Sequence, residues 1–348
     1  MSPFILATLV SALTLGTAIT LSSSHWLIAW VGLELNTLAI LPLMARQPHP
    51  RAVEATTKYF LIQAAAAATL LFAATTNAWL SGQWEIHQMT HPIPTAIATL
   101  ALAMKIGLAP THFWLPEVLQ GLDLTTGLIL STWQKLAPFA LLLQMPNHSP
   151  TLLIILGLSS TLIGGWGGLN QQTSSKNPAY SSIAHLGWMI LILQFSPSLP
   201  SSPLLYISRW PSPLSSYSKL TSPQTSTPWR PSWAKTPALT AIAPLILLSL
   251  GGLPPLSGFM PKWLILQELT KQGLALTATI TALSALLSLY FYLRLSYALA
   301  LTTPPNTPMG LSPWRLHTAQ NTLPLAISTT ATLALLPLTP LVTALFVP

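Results

Sequence analysis

The chain has 348 residues, 51% of them hydrophobic and only 6% charged, against about 25% charged in an ordinary soluble domain, so a soluble globular protein is excluded. The formal net charge of +8 comes from 14 scattered basic residues, without the basic cluster or stripe that would make nucleic acid a partner. Cysteine is absent, which excludes disulfides and thiolate-held iron-sulfur clusters.

At the N-terminus, MSPFILATLV has no basic segment before its first apolar run and no small-residue cleavage site, so that run is read as a retained span. Apolar stretches near the length of about 20 residues that crosses a hydrocarbon core follow along the chain. They fall at about 3–22, 25–45, 57–80, 94–115, 124–145, 150–169, 179–196, 237–258, 273–298 and 323–346. The predicted fold class is therefore all-α, a polytopic transmembrane helical bundle. A membrane barrel would show shorter segments of alternating polarity.

An eleventh span between 197 and 220 would put Arg46, Arg51, Lys58, Lys176, Lys219, Arg230, Lys235, Arg294 and Arg315 on one side with the N-terminus. By the positive-inside rule that side faces the compartment of synthesis. Locally, the Ser/Pro-rich stretch 196–233 reads instead as a long polar loop, because repeated prolines oppose a continuous helix.

Few charges sit where charge is expensive. Glu34 in HWLIAWVGLELNTLAILPLM, Lys105 in AIATLALAMKIGLAP and Lys135 in LILSTWQKLAPFALLL lie inside apolar runs, and Lys262, His112 and His185 complete the set. An acid or lysine at the bilayer centre costs about 2.5 to 3.5 kcal/mol, so the group points to proton or cation handling. Lysine suits a proton relay because burial disfavours its charged form and a nearby carboxylate favours it. Glu34 is the mid-span acid that could serve. The alternatives are a snorkelling anchor at Lys262 and a static ion pair locking two helices. The histidines are read either as links between the lysines or as hydrogen-bonded packing residues.

Two segments echo each other. Gly107 to Glu117 reads GLAPTHFWLPE and Gly252 to Lys262 reads GLPPLSGFMPK, sharing GLxPxxxxxP followed by a charge. Pro110 in the first and Pro254 and Pro255 in the second remove backbone donors, predicting helix breaks that expose carbonyls at membrane depth. Such backbone is tolerated only where it is buried or lines a wet cavity. Matching interruptions in two halves are the signature of a repeat-built transporter.

WVGLELNTLAILPL, KIGLAPTHFWLPEV, STWQKLAPFALL, AYSSIAHLGWM and LSLGGLPPLSGFMPKWLILQEL resemble the subunit 2 family of vertebrate mitochondrial NADH-ubiquinone oxidoreductase, respiratory complex I. The resemblance covers roughly 1–170 and 234–348. It implies an antiporter-like fold of about 11 transmembrane helices, with two inverted five-helix repeats at about 1–145 and 150–298 and a C-terminal helix at about 323–346. It also implies an inner-membrane subunit with its N-terminus on the matrix side, taking part in proton translocation coupled to electron transfer from NADH to ubiquinone. Glu34 and Lys105 are the implied modulating ion pair. Lys135 continues a hydrated axis, and Lys262 ends it near the neighbouring antiporter-like subunit. No cofactor is expected in this chain: NADH, FMN, the iron-sulfur clusters and ubiquinone belong to other subunits. The implied partners are neighbouring antiporter-like and small membrane-arm subunits and the lipid bilayer, including cardiolipin.

The chain departs from the family at 171–178, QQTSSKNP, and over 196–233. An out-of-frame reading bounded by compensating insertions and deletions would produce that pattern, and so would a lineage-specific loop. A stand-alone secondary cation/proton antiporter is the second functional reading. A structural spacer of a membrane arm is the third.

Overall fold

The computed structural model describes residues 2–46, 49–145, 149–169, 177–193, 195, 237–301, 323–334 and 337. Regular structure among them is helical: α1 (Pro3–Ser22), α2 (Trp26–Met44), α3 (Pro50–Ser81), α4 (Pro92–Ile106), α5 (Trp114–Gly121), α6 (Leu124–Gln144), α7 (Pro150–Leu169), α8 (Asn177–Ile192), α9 (Pro237–Gly251), α10 (Phe259–Lys271), α11 (Ala275–Leu301) and α12 (Leu323–Ala334). A 3-10 turn at Ile86–Gln88 and a bridge between His25 and Glu85 complete it. The all-α bundle expected from composition is present.

By length and composition, α1, α2, α3, α7 and the Ala275–Tyr297 part of α11 suffice to cross a membrane. The spans expected at 94–115 and 237–258 are not continuous, because α4 ends at Ile106 and α9 at Gly251. The anomalous stretch 196–233, the eleventh span between 197 and 220 and all but the last two residues of the departure at 171–178 lie outside the described residues, as do Lys176, Lys219, Arg230, Lys235 and Arg315. Of the last expected span, α12 is described.

The helix starts follow local chemistry. Pro3 and Pro50 occupy first-turn positions where a missing N–H costs nothing. Ser2 caps α1, and the Nδ1 atoms of His25 and His49 accept the first free N–H groups of α2 and α3.

The described residues divide into two compact units. The first holds those up to Gly164 together with 177–193. Its core joins Ile40, Leu43, Tyr59, Trp114, Leu115, Leu130 and Ile183, with the Tyr59 and Trp114 rings edge-on at 5.7 Å. The α1 and α2 backbones approach closely at Gly16 and Gly32, where a Cβ on either would lie 2.9 Å from the other's carbonyl oxygen, the small-residue packing typical of membrane helices. Along α1, the hydroxyls of Thr8, Ser11, Thr14, Thr17, Thr20 and Ser23 each donate to the carbonyl three residues back. Exposed apolar side chains such as Phe4, Trp79 and Ile93 suit contact with lipid.

The second unit takes the described residues of 165–170 and from 198 onward. Ala243, Leu247 and Leu250 of α9 pack on Phe291 and Tyr292 of α11. The Ser257 hydroxyl, in the segment after α9, donates to the Thr332 carbonyl of α12.

Candidate functional site

Both echoes are broken helices. Gly107 turns left-handed at φ 86° directly after α4, and the Leu108 N–H reaches back to the Ala103 carbonyl at 3.0 Å. After α9, Gly252 has φ 81°, and the Leu253 N–H reaches the Leu248 carbonyl at 3.4 Å while Gly252 N–H bonds Ser249 at 3.0 Å. These are Schellman caps, in which glycine takes the left-handed position and the following apolar residue closes the turn. The shared Gly-Leu pair is therefore the stop signal. Pro110, Pro254 and Pro255 act just beyond it, since each lacks the N–H that would bond the carbonyl four residues back, at Ile106, Leu250 and Gly251. The prolines, all in the connecting segments, keep the released chain from re-entering a helix.

The carbonyls freed at the breaks find side-chain donors, as backbone at membrane depth must. Gln63 of α3 donates its amide to the Lys105 carbonyl at 3.2 Å, and the Trp114 indole donates to Met104 at 3.3 Å. Ser159 of α7 donates to Ala109 at 3.2 Å.

Around the first break the chain encloses a cavity lined by Asn36, Thr37, Tyr59, Gln63, Lys105, Gln134, Lys135 and Pro138, with Leu33, Ile106, Trp114 and Leu130 as its apolar walls. Its water-accessible volume of about 10 Å³ is close to that of a single water. Lys105 and Lys135 are each 5% exposed. The Lys105 Nζ makes no hydrogen bond, nor does either side-chain amide atom of Asn36. Pro138 lies inside α6 and has no N–H, so the helical donor to the Gln134 carbonyl, beside Lys135, is missing. Two buried amines thus share a polar chamber.

Glu34 stands beside this chamber. It is half-buried, and its carboxylate and its own carbonyl both lie within bonding distance of the Thr37 hydroxyl, at 3.0 and 2.8 Å. Thr37 carries one proton, so it serves one of these acceptors at a time unless Glu34 is itself protonated and donates back. The ion pairs among the described residues are Lys58 with Glu54, Lys58 with Glu117 and Lys271 with Glu268. Glu34 and Lys105 do not pair directly, and the hydrogen-bond neighbour of the carboxylate is Thr37 on its own helix.

The expected histidine relays do not line the cavity. His112 is buried in the break, its ring 4.4 Å from that of Phe113 and its Nδ1 without a hydrogen bond. His185 is half-buried on α8.

Lys262 belongs to the second unit. On α10, 8% exposed, it reaches back over the break to donate its amine to the Gly251 carbonyl at 2.8 Å. It is therefore inward-facing and does not snorkel. The same place in the first echo holds Glu117, which pairs with Lys58 at 2.7 Å on the surface.

Sequence reasoning missed Asn36, Thr37, Tyr59, Gln63 and Gln134. Two of them follow Glu34 within one helical turn, and Gln134 adjoins Lys135. An amide next to a mid-span charge was the available signal.

The family model for NADH:quinone oxidoreductase/Mrp antiporter membrane subunits matches residues 23–201 and 226–288, and that for the NADH dehydrogenase subunit 2 C-terminus matches 289–343. Residues 202–225, within the Ser/Pro-rich stretch, fall between these matches. The chain is 67% identical to NADH-ubiquinone oxidoreductase chain 2 of Tetraodon nigroviridis over 99% of both chains. It is 64% identical to chain 2 of Oncorhynchus mykiss, again over 99% of both. Among solved structures, a chain of respiratory complex I from Thermus thermophilus matches with a TM-score of 0.86 at 30% identity, over 98% of this chain and 80% of that one. A chain of the Mrp complex from Dietzia shares the fold, with a TM-score of 0.75 at 16% identity over 96% of this chain and 75% of that one.

Proposed function

The chain belongs to the NADH-ubiquinone oxidoreductase chain 2 family of antiporter-like membrane subunits, and from that premise we infer how its buried charges serve the complex. It is a membrane-arm subunit of the proton-translocating NADH:ubiquinone oxidoreductase. Its part is proton movement across the membrane, coupled to electron transfer from NADH to ubiquinone. On this reading NADH, FMN, the iron-sulfur clusters and ubiquinone are held by other subunits. The chain lies in the mitochondrial inner membrane beside neighbouring antiporter-like and small membrane subunits, with cardiolipin among its lipids. The basic side chains of Arg46, Arg51 and Lys58 support a matrix-side N-terminus.

The observation that carries the proton-path reading is the pair Lys105 and Lys135 on one cavity. Two ammonium groups in a poorly solvated chamber repel each other and each loses hydration, so charging both at once is costly. A proton arriving on one therefore favours release from the other, with room for about one water to bridge them. Glu34 biases this exchange by its charge. When it is ionised it favours a charged Lys105, and when it is protonated or drawn away that support is withdrawn. Lys262, at the second break, is on the family reading a further proton site, with His112 and His185 as subsidiary ones.

The stand-alone antiporter reading rests on similarity to the Mrp chain, which is one of fold. Purified natively, the chain should come within a complex that oxidises NADH. In that complex, reconstituted in liposomes, Lys135→Met should lower the protons moved per NADH while the complex stays intact. An isolated chain that exchanges a cation for protons by itself would overturn this assignment.

A further inference from the structure

The glycines that end α4 and α9 have nearly the same left-handed backbone, φ 86° and 81°, yet they face different things. A Cβ built on Gly107 would touch the Leu115 and Trp114 side chains at 3.2 Å. On Gly252 it would meet Lys262 along its length, 2.9 Å from Cδ, 3.2 Å from Cε and 3.1 Å from Nζ. Lys262 thus lies across the bare α-carbon of Gly252 on its way to the Gly251 carbonyl, where its amine bonds at 2.8 Å.

We propose that Gly252 is a positioning residue for Lys262: the missing side chain makes the groove that seats the amine on the C-terminal carbonyl of the broken helix. The seat is a charge-complementary one. A helix C-terminus carries the negative end of the backbone dipole and its last carbonyls lack helical donors, so an amine held there replaces the lost N–H and has its charge met inside the membrane. Because the atoms that would clash belong to a flexible side chain and not to backbone, a methyl group at 252 displaces the lysine, and the strain it adds at a left-handed φ is matched by a second glycine variant.

The inference rests on Lys262 being part of the proton path, and the experiment separates the two claims. Five variants are compared in the assembled complex in liposomes: Lys262→Met, Gly252→Ala, Gly252→Asn, Gly273→Ala and the double variant that joins Gly252→Ala to Lys262→Met. Gly273 has φ 75° with nothing within 4 Å of its would-be Cβ, so its variant carries backbone strain alone. Asn adopts the left-handed region more readily than Ala but still brings a Cβ. Lys262→Met should lose pumping. Both Gly252 variants should slow NADH-driven proton uptake by about tenfold or more, within the roughly 10²-fold in rate that misplacing a reacting group by about 1 Å can cost, with the KM for quinone unchanged. Gly273→Ala should pump as the parent does. Gly252→Ala added to Lys262→Met should leave the residual proton-uptake rate of Lys262→Met unchanged beyond any loss that Gly273→Ala also shows, since the group it displaces is gone. If Lys262→Met loses pumping while Gly252→Asn pumps normally, or if the double variant shows additive losses, Gly252 has no positioning role. Should Gly252→Ala fail to assemble, Gly252→Asn and the double variant decide the matter. Full pumping by Lys262→Met would instead remove Lys262 from the path.

Discussion

Replacing Lys105 by methionine should abolish pumping while leaving the complex as stable as before or more so. The Lys105 amine is buried and makes no hydrogen bond, so its removal breaks no bond. It relieves a polar burial that costs about 1 to 3 kcal/mol on protein mutational scales. Methionine keeps the length of the buried stem, whereas Lys105→Ala deletes three methylenes at about 0.8 kcal/mol each and should be less stable than the methionine variant by about 2 to 3 kcal/mol. The two substitutions therefore part company in stability while agreeing in function. Loss of a proton-transfer group costs about 10² to 10⁴ in rate, so coupled turnover should fall to near background in both. Complex abundance on native gels and its thermal transition give the stability arm. Proton uptake and NADH oxidation in liposomes give the functional one. Undiminished pumping by an intact Lys105→Met complex, or a methionine variant less stable than the alanine one, would refute this reasoning.

Thr37→Val removes the hydroxyl shared by the Glu34 carboxylate and carbonyl. At about 0.5 to 1.5 kcal/mol for the bond, pumping should fall about two- to twelvefold, less than for Glu34→Gln, and initial proton-uptake rates would rank the two. Gln63→Leu strands the Lys105 carbonyl and should lower stability by about 1 to 3 kcal/mol, read as a drop in the thermal transition of the complex. Lys58 sits between Glu54 and Glu117 on the surface, where an ion pair is worth about 1 kcal/mol or less. Lys58→Met should therefore leave both assembly and pumping near the parent values, and a large loss in either would give that ion cluster a role the geometry does not.

The helical spans and the costly charges were legible because both are matters of composition: an apolar run announces a helix, and Lys105 or Lys135 inside one is conspicuous. The two breaks were legible from the echo, but the part played by glycine was not. Proline draws attention as the residue that cannot be helical, while the Gly-Leu pair that ends α4 and α9 looks unremarkable until its φ values are seen. Gln63, with no mid-span charge beside it in the sequence, was not legible as a chamber wall. An amide in a membrane helix is affordable on several faces, and which one it takes is settled by packing. The same holds for Glu34 and Lys105: both residues could be named, but the choice of Thr37 as the carboxylate's neighbour is a matter of rotamer.

The run of six hydroxyls along α1, each closed on the carbonyl three residues back, has a mechanical corollary. Polar atoms satisfied within their own helix make no directional tie to anything outside it, so they neither choose a neighbour nor resist being moved past one. Against α2 the helix is registered by shape, where Gly16 and Gly32 let the backbones meet. Such a surface behaves as a bearing: it locates its neighbour by fit, and a small slide along it breaks no hydroxyl bond.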